Sequence, residues 1–121
     1  MIALASMLAL LLAAAPAAPA PPAAIERRCG WLDNPTPGNW WLTDRDGSWT
    51  LSAQGGYEAP GMETMPDIPD RRWVRRNGNY GYTCACLNVT IDRRSERVTR
   101  VRGGTALPIA TCRADRRLPR P

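Results

Sequence analysis

The chain has 121 residues and a formal net charge of +5, with sixteen basic side chains, all of them arginine, against eleven acidic ones. Histidine is absent from the whole sequence, which excludes Ser-His-Asp and Cys-His catalysis, imidazole general bases and histidine metal sites. The length that follows the N-terminal apolar segment suits one domain and not two.

The N-terminal segment has the composition of a secretory signal peptide. Residues 2–15 are Ala, Leu, Ile, Met and one Ser. This run is too short for a membrane span, which needs about 20 apolar residues. Ala15-Pro16-Ala17 fits the small-x-small cleavage pattern, so we expect a signal peptide over residues 1–17 and a Pro/Ala-rich linker over residues 18–28. The alternative is a disordered Ala/Pro leader. A signal peptide predicts a periplasmic or secreted protein that does not span a membrane after cleavage.

Four cysteines, Cys29, Cys84, Cys86 and Cys112, predict two disulfides in a small domain over residues 29–118. Cys84 and Cys86 flank one residue of a predicted strand, so their side chains share a face with Cα atoms roughly 6.5 Å apart. A bond between them would be strained. We therefore expect one to bind Cys29 and the other Cys112, with the pairing open. A redox-active dithiol and a zinc site are the alternatives, and the spacing disfavours zinc.

The strongest local pattern is a β-hairpin around Asp46-Gly47, which lies between two apolar and aromatic runs. We expect a type I′ turn that places Arg45 opposite Ser48. Because alternate strand residues share a face, one face of the hairpin is predicted to be a core face, and Trp41 falls on the other. The predicted core face consists of Trp40, Leu42, Trp49 and Leu51.

Turn residues fill positions 33–38, and Gly and Pro residues predict a long loop over positions 54–70. Further strands are expected over residues 73–76, 80–91 and 97–102, with Val98 and Val101 on opposite faces. Gly103-Gly104 is expected to break the last of these strands, and residues 106–110 to add a short edge strand. The predicted fold is therefore mostly β: a small single domain of about five antiparallel strands with a central hairpin, joined by two disulfides.

The domain also carries a set of motifs in a fixed order. These are CGWLDNPTPGNWWLTDRDGSWT at 29–50, QGGY at 54–57, NGNYGY at 77–82, CACL at 84–87 and CR at 112–113. Together they resemble the signature of a family of small bacterial exported proteins that is described only as a domain of unknown function. The resemblance implies bacterial origin and export. It implies no activity, so it transfers no catalytic residue.

Candidate binding residues are aromatic side chains and one arginine, namely Trp41, Tyr57, Tyr80, Tyr82 and Arg45. An exposed Trp41 near tyrosines would stack on a sugar ring or contact a protein partner. The alternative is that the aromatic residues fill a core that lacks Phe. Asp44 and Asp46 match a catalytic carboxylate pair, but hydrogen bonds within the turn are the stronger explanation. They also match part of a calcium loop, but the further acidic ligands and the distant Glu of that loop are missing. We expect no metal site and no cofactor.

These patterns predict a non-enzymatic binding module whose partner is an envelope protein or an anionic glycan. Nucleic acid is not expected, because the arginines are scattered as pairs. Two alternatives stay open. An inhibitor of an exported enzyme, such as a cell-wall hydrolase, would be favoured if the loop at 54–70 projects from the domain. A thiol-disulfide redox protein would use Cys84 and Cys86.

Overall fold

The computed structural model of the protein describes residues 9–19 and 23–121. Residues 9–19 form no helix or strand, and Leu10, Leu11 and Leu12 are exposed. Parts of the predicted signal peptide (residues 1–8) and of the predicted linker (residues 20–22) lie outside the described residues. Within the described part, no helix has the length and apolar character that crossing a membrane requires.

The described chain forms a mostly β domain, as the sequence predicts, with six strands in place of about five. The strands are β1 (Glu26–Asn34), β2 (Trp40–Thr43), β3 (Ser48–Ser52), β4 (Val74–Asn77), β5 (Tyr80–Asp92) and β6 (Arg97–Leu107). One short helix, α1 (Ile109–Arg113), and two 3-10 turns (Met62–Thr64 and Asp70–Arg72) complete the described elements.

β1 is the strand that the sequence does not predict. It begins at Glu26 and therefore includes residues 26–28, which the sequence assigns to the linker. It also includes Asp33 and Asn34, which the sequence assigns to the following turn. The strand lacks a clean alternation of apolar and polar residues, because Arg28, Gly30 and Trp31 are all buried. Charged and glycine residues at buried positions hide a strand from pattern analysis.

The sheet closes on itself. Its strand order is β1-β2-β3-β6-β5-β4, and β1 also pairs with β5. The pairings are antiparallel except between β3 and β6, which meet in parallel at Thr50 and Arg97. Closure gives the sheet an interior and an exterior face, and it leaves few free strand edges.

The interior is filled by one apolar cluster, called the inner core. Its buried members are Leu32, Leu42, Trp49, Leu51, Ala59, Ala85, Leu87, Val89, Ile91, Val98 and Val101. Trp40 packs against this cluster while remaining partly exposed. The predicted core face of the β2–β3 hairpin is therefore confirmed.

The predicted register of the hairpin is wrong. Thr43, and not Arg45, lies opposite Ser48, and Leu42 pairs with Trp49. Residues 44–47 form a four-residue loop closed by the Asp44 N–H, which donates to the Gly47 carbonyl at 2.9 Å. The Asp44 side chain accepts hydrogen bonds from the two N–H groups at 46 and 47. These bonds stabilise the longer loop over a two-residue turn.

β6 departs from the sequence prediction in two ways. It continues through Gly103-Gly104, where a break was expected. Val98 and Val101 are 0% and 1% exposed, so both face the interior and not opposite sides. The register of β6 against β5 shifts twice, and each β-bulge adds one residue and reverses the alternation of faces. Gly103, with φ of +84°, provides the left-handed backbone in the second bulge.

Residues 106–110 do not form a separate edge strand. Ala106 and Leu107 complete β6, and α1 begins after Pro108. Proline is well suited to a helix start, because its fixed φ fits the helix and its missing N–H would have no partner in the helix. The helix carries Cys112, which is 4% exposed, onto the outside of the sheet.

A second apolar cluster, called the outer core, lies under α1 and the C-terminal tail. Its buried members are Trp31, Tyr82, Cys84 and Cys112. Val74, Leu107, Ile109 and Leu118 pack against them. The Trp31 Nε1 donates to the Pro119 carbonyl at 2.9 Å, which attaches the tail to β1.

The two disulfides are Cys29–Cys86 and Cys84–Cys112. The prediction that Cys84 and Cys86 have distant partners is confirmed, and the open pairing is settled. Cys29 and Cys86 lie directly opposite each other on β1 and β5. The second bond joins α1 to β5. Two disulfides in a small domain are typical of an oxidising compartment.

Candidate functional site

Three side chains lie side by side on the exterior face, across three neighbouring strands. Trp41 on β2 pairs with Asp33 on β1, and Asp33 pairs with Tyr82 on β5. Because paired residues of adjacent strands share a face, these three form a continuous line that we call the outer row. Neighbouring strands are about 4.8 Å apart, so the row spans roughly 10 Å from Trp41 to Tyr82.

Asp33, at the centre of the outer row, carries a buried oxygen without a partner. Its Oδ1 atom is buried and has no hydrogen-bond partner within the described part of the chain. Burial raises the pKa of Asp33 above its usual 3.8, and the positive charge of Arg76 opposes that rise. Buried carboxylate oxygens nearly always accept a hydrogen bond. Asp33 therefore holds a buried acceptor that no group in the described part of the chain satisfies.

Tyr82 forms one end of the outer row and is held rigidly. Its ring packs edge-on against Trp31, with centroids 5.4 Å apart and an interplanar angle of 85°. The guanidinium of Arg76 lies over the same ring, 4.4 Å from its centroid. Arg76 itself is exposed on β4. The ring thus fixes a cation near Asp33, with guanidinium N–H donors available to solvent.

Trp41 forms the other end of the outer row and is half-buried. Its neighbour Trp40 has the opposite orientation, because successive strand residues alternate. Trp40 packs on the inner core and lies 6.4 Å from the ring of Trp73. Of the two adjacent indoles, only Trp41 therefore belongs to the outer row.

The other predicted binding residues lie at different places. Tyr80 is half-buried and shares the face of β5 that carries Tyr82. Tyr57 packs against the inner core, and its hydroxyl donates to the Val98 carbonyl at 2.6 Å. Arg45 is exposed, and its Nε donates to Asp115 at 2.9 Å. The structure thus brings Trp41, Tyr82 and Tyr80 to one face and separates Tyr57 and Arg45 from them.

Asp33 and Arg76 are the members of this surface that sequence analysis missed. Asp33 was assigned to turn chemistry, because it precedes an Asn-Pro pair and β1 was not recognised. Arg76 was placed correctly on a short strand, now β4, but its position over Tyr82 depends on the β4–β5 register. Asp33 can be placed between Trp41 and Tyr82 only when the pairing of β1 with both β2 and β5 is known.

A second polar cluster surrounds the buried side chain of Arg28, which is 7% exposed. Its guanidinium donates to Asp44 at 2.6 Å, to Asp46 at 3.0 Å and to Glu26 at 2.8 Å. The same group lies 4.9 Å from the centroid of the Trp49 ring. The carboxylates that resembled a catalytic pair are therefore bound to an arginine.

The Arg28 cluster also determines the protonation of Asp44. Burial is the largest single effect and acts to raise the pKa of Asp44, but the hydrogen bonds and the charge of Arg28 together outweigh it, and the net pKa lies below 3.8. The indole N–H of Trp49 lies close enough to contribute to this lowering, although it makes no hydrogen bond of normal geometry. A carboxylate held ionised beside a fixed cation is suited to stabilising the fold and not to proton transfer.

The long segment between β3 and β4 packs against the sheet. Ala59, which is 2% exposed, joins the inner core, and the Val101 N–H donates to the Pro60 carbonyl at 2.9 Å. Further along, Thr83 Oγ1 donates to the Arg72 carbonyl. The segment covers the inner core and does not project from the domain.

A family model described as "Protein of unknown function (DUF4087)" matches residues 23–119. The chain belongs to this family. The match begins just before β1 and ends in the C-terminal tail, so it includes both disulfides and the whole outer row. Comparison with curated proteins and with solved structures gave no match. This member of the family therefore has to be interpreted from its own residues.

Proposed function

We propose that this protein is a non-enzymatic binding module, periplasmic or secreted, that binds its ligand through the outer row. The single observation that carries this proposal is the half-buried indole of Trp41 on the exterior face, next to Asp33 and near the exposed guanidinium of Arg76. The Oδ1 atom of Asp33 has no hydrogen-bond partner in the described part of the chain, and leaving such an atom unsatisfied costs about 1–3 kcal/mol.

The aromatic residues beside Asp33 support the same function. Binding sites combine apolar or aromatic surface with a few polar groups that fix orientation. Trp41 supplies a half-buried indole, and Tyr82 supports the exposed guanidinium of Arg76. These groups are mounted on paired strands, so binding would need little ordering of the protein.

The disulfides and the predicted signal peptide both support a periplasmic or secreted location. Both disulfides are formed, and no cysteine of the described chain is free. Structural disulfides persist in oxidising compartments. The predicted signal peptide over residues 1–17 fits export, and its described leucines, Leu10 to Leu12, are exposed and outside the inner core.

No specific observation favours the two alternative functions. The segment that would project in an inhibitor packs against β6. Cys84 and Cys86 each bond to a distant cysteine, so the pair is not a dithiol in this structure. A non-enzymatic role is further supported by Asp44 and Asp46, which are both bound by Arg28.

The proposal is tested by capture from the envelope fraction of the producing bacterium, using immobilised wild-type protein and Trp41→Ala. The matched control is Trp73→Ala, because Trp73 is also a half-buried indole and lies outside the outer row. Circular dichroism confirms that each variant is folded. We expect Trp41→Ala to lose the captured material and Trp73→Ala to keep it. Equal capture by wild type and Trp41→Ala would refute the proposal.

A further inference from the structure

We infer that this protein binds the surface of anionic phospholipid membranes through a basic face, formed by Arg27 on β1 and by Arg100 and Arg102 on β6. None of these residues belongs to the outer row, so the inference goes beyond the proposed function and does not depend on ligand binding there. The association is peripheral: guanidinium groups of the folded domain meet lipid phosphate groups at the membrane surface.

Strand pairing brings arginines from distant parts of the sequence to one face. Arg27 pairs with Asn88 on β5, and Arg100 pairs with Thr90 on the same strand. Asn88 and Thr90 alternate with inner-core residues of β5, so they lie on the exterior face. Paired residues share a face. Arg27 and Arg100 therefore lie on opposite sides of β5 on the exterior face, about 10 Å apart across the sheet.

The third member of the basic face is Arg102. It follows Val101, which belongs to the inner core, so its side chain points to the exterior. The register of β6 against β5 shifts beside it, between the pairs at Leu87 and at Val89, which places Arg102 next to Asn88. All three arginines of the basic face are exposed.

The positive charge of the basic face is not balanced by neighbouring carboxylates. Its three arginines make no ion pair within residues 23–121. The carboxylate of Glu26 already binds Arg28 at 2.8 Å and Arg93 at 3.6 Å. Asp92, at the end of β5, pairs across the sheet with a further arginine, Arg97. The basic face therefore attracts anions from outside the protein.

The position of the basic face favours a membrane over a soluble polyanion. β1 begins at Glu26, so the preceding chain, which carries the predicted signal peptide, leaves the domain next to Arg27. Export therefore brings this end of the domain to the membrane. Ile25, directly before β1, is 56% exposed and offers an apolar contact to the membrane interface, which a soluble polyanion would not use.

The test measures how the exported protein, purified with both disulfides formed, sediments with lipid vesicles. Vesicles of equal parts phosphatidylcholine and phosphatidylglycerol are compared with vesicles of phosphatidylcholine alone. We expect binding to the anionic vesicles at about 0.1 M salt and loss of this binding near 1 M, where the Debye length falls from about 10 Å to about 3 Å. Arg27→Gln/Arg102→Gln should bind about 25-fold more weakly, at about fivefold per arginine.

The matched control is Arg71→Gln/Arg75→Gln, which removes the same charge from two other exposed arginines. Arg75 pairs with Gly81, which lies roughly 23 Å along β5 from Asn88 at about 3.3 Å per residue. This distance is about two Debye lengths at 0.1 M salt. The control should therefore bind the anionic vesicles as wild type does. Circular dichroism confirms that both double variants are folded.

Equal weakening in the two double variants would overturn the inference, because net charge and not the basic face would then explain the binding. Equal binding to the two kinds of vesicle, or binding to neither, would also overturn it. Heparin and a short DNA duplex are titrated in parallel. Binding to either that depends on Arg27 and Arg102, without binding to vesicles, would show that the basic face takes a soluble polyanion and not a membrane. The proposed function is tested separately, through Trp41.

Discussion

Removing each disulfide separately tests whether the two bonds stabilise the fold in the way that their positions imply. Cys29–Cys86 closes a loop with a sequence separation of 57, and Cys84–Cys112 one of 28. In the chain-entropy model these lengths correspond to about 4.2 and about 3.6 kcal/mol at 25 °C. The double variants Cys29→Ala/Cys86→Ala and Cys84→Ala/Cys112→Ala should therefore lose similar amounts of stability.

Burial modifies this comparison. Cys84 and Cys112 are 0% and 4% exposed, whereas in the other pair Cys86 is 4% exposed and Cys29 is exposed. The Cys84→Ala/Cys112→Ala variant therefore truncates one more buried sulfur atom, which adds a packing loss of about 1 kcal/mol. The losses of unfolding free energy in the two variants should thus agree to within about 1 kcal/mol. Each loss is a large part of the roughly 5–15 kcal/mol unfolding free energy of a typical domain.

The two variants should differ in where the structure opens. β1 and β5 pair over the whole length of β1, so they stay together without Cys29–Cys86. The five-residue helix α1 has only the outer-core contacts and the Trp31–Pro119 hydrogen bond to replace Cys84–Cys112. Urea unfolding measures the stabilities, and hydrogen exchange measures the local opening. Selective loss of protection in β1 of the first variant, with α1 still protected in the second, would refute this reasoning.

Arg28→Ala should destabilise the fold by about 3–5 kcal/mol in urea unfolding, because it leaves buried Asp44 without its cation. The wild-type contribution should disappear as the pH falls through the lowered pKa of Asp44, so the two proteins should converge in acid. Gly30→Ala should prevent normal folding, because a Cβ at this position overlaps the backbone carbonyl of Thr43 on β2. Gly56→Ala should be tolerated, because its Cβ meets only ordinary contacts. Equal melting temperatures of the two variants would contradict this expectation. Asp33→Asn should raise the stability measured by urea unfolding at neutral pH, because it removes the negative charge of a carboxyl group whose pKa is raised by burial.

Local patterns predicted much of the fold correctly. The core face of the hairpin followed from the alternation of Trp40, Leu42, Trp49 and Leu51. Strand geometry predicted that Cys84 and Cys86 bond to distant cysteines and not to each other, but it left open which of them pairs with Cys29 and which with Cys112. β4 and β5 also appear near their predicted positions, with Gly78 at φ of +58° in the turn between them.

Two of the errors depend on contacts between residues that are distant in sequence. β1 was not predicted because its buried Arg28 is neutralised by carboxylates from a distant loop. The bulges in β6 depend on pairing with β5. The error in the hairpin register is local, because the Asp44 hydrogen bonds to the loop N–H groups stabilise a longer loop than the Asp-Gly pattern predicts.

The candidate site was predicted in part for the same reason. Trp41 and Tyr82 are candidate binding residues by residue type alone, but Asp33, which lies between them, comes from β1. Tyr57 and Arg45 are equally plausible by type and are bound elsewhere. Only the closed sheet, with β1 between β2 and β5, selects the members of the outer row.

Asp33 links the stability of this protein to its proposed function. A carboxylate whose pKa is raised by burial destabilises the folded state at every pH above that raised pKa, and the cost falls as the pH drops through it. Asp33→Asn removes the negative charge, so its advantage over wild type should be largest at neutral pH and should shrink in acid. This dependence is opposite to that of the Arg28 cluster, in which the pKa of Asp44 is lowered. If Asp33 serves only the fold, the variant should be no more stable than wild type at neutral pH. A variant that is more stable but binds no ligand would show that the cost of Asp33 is retained for binding.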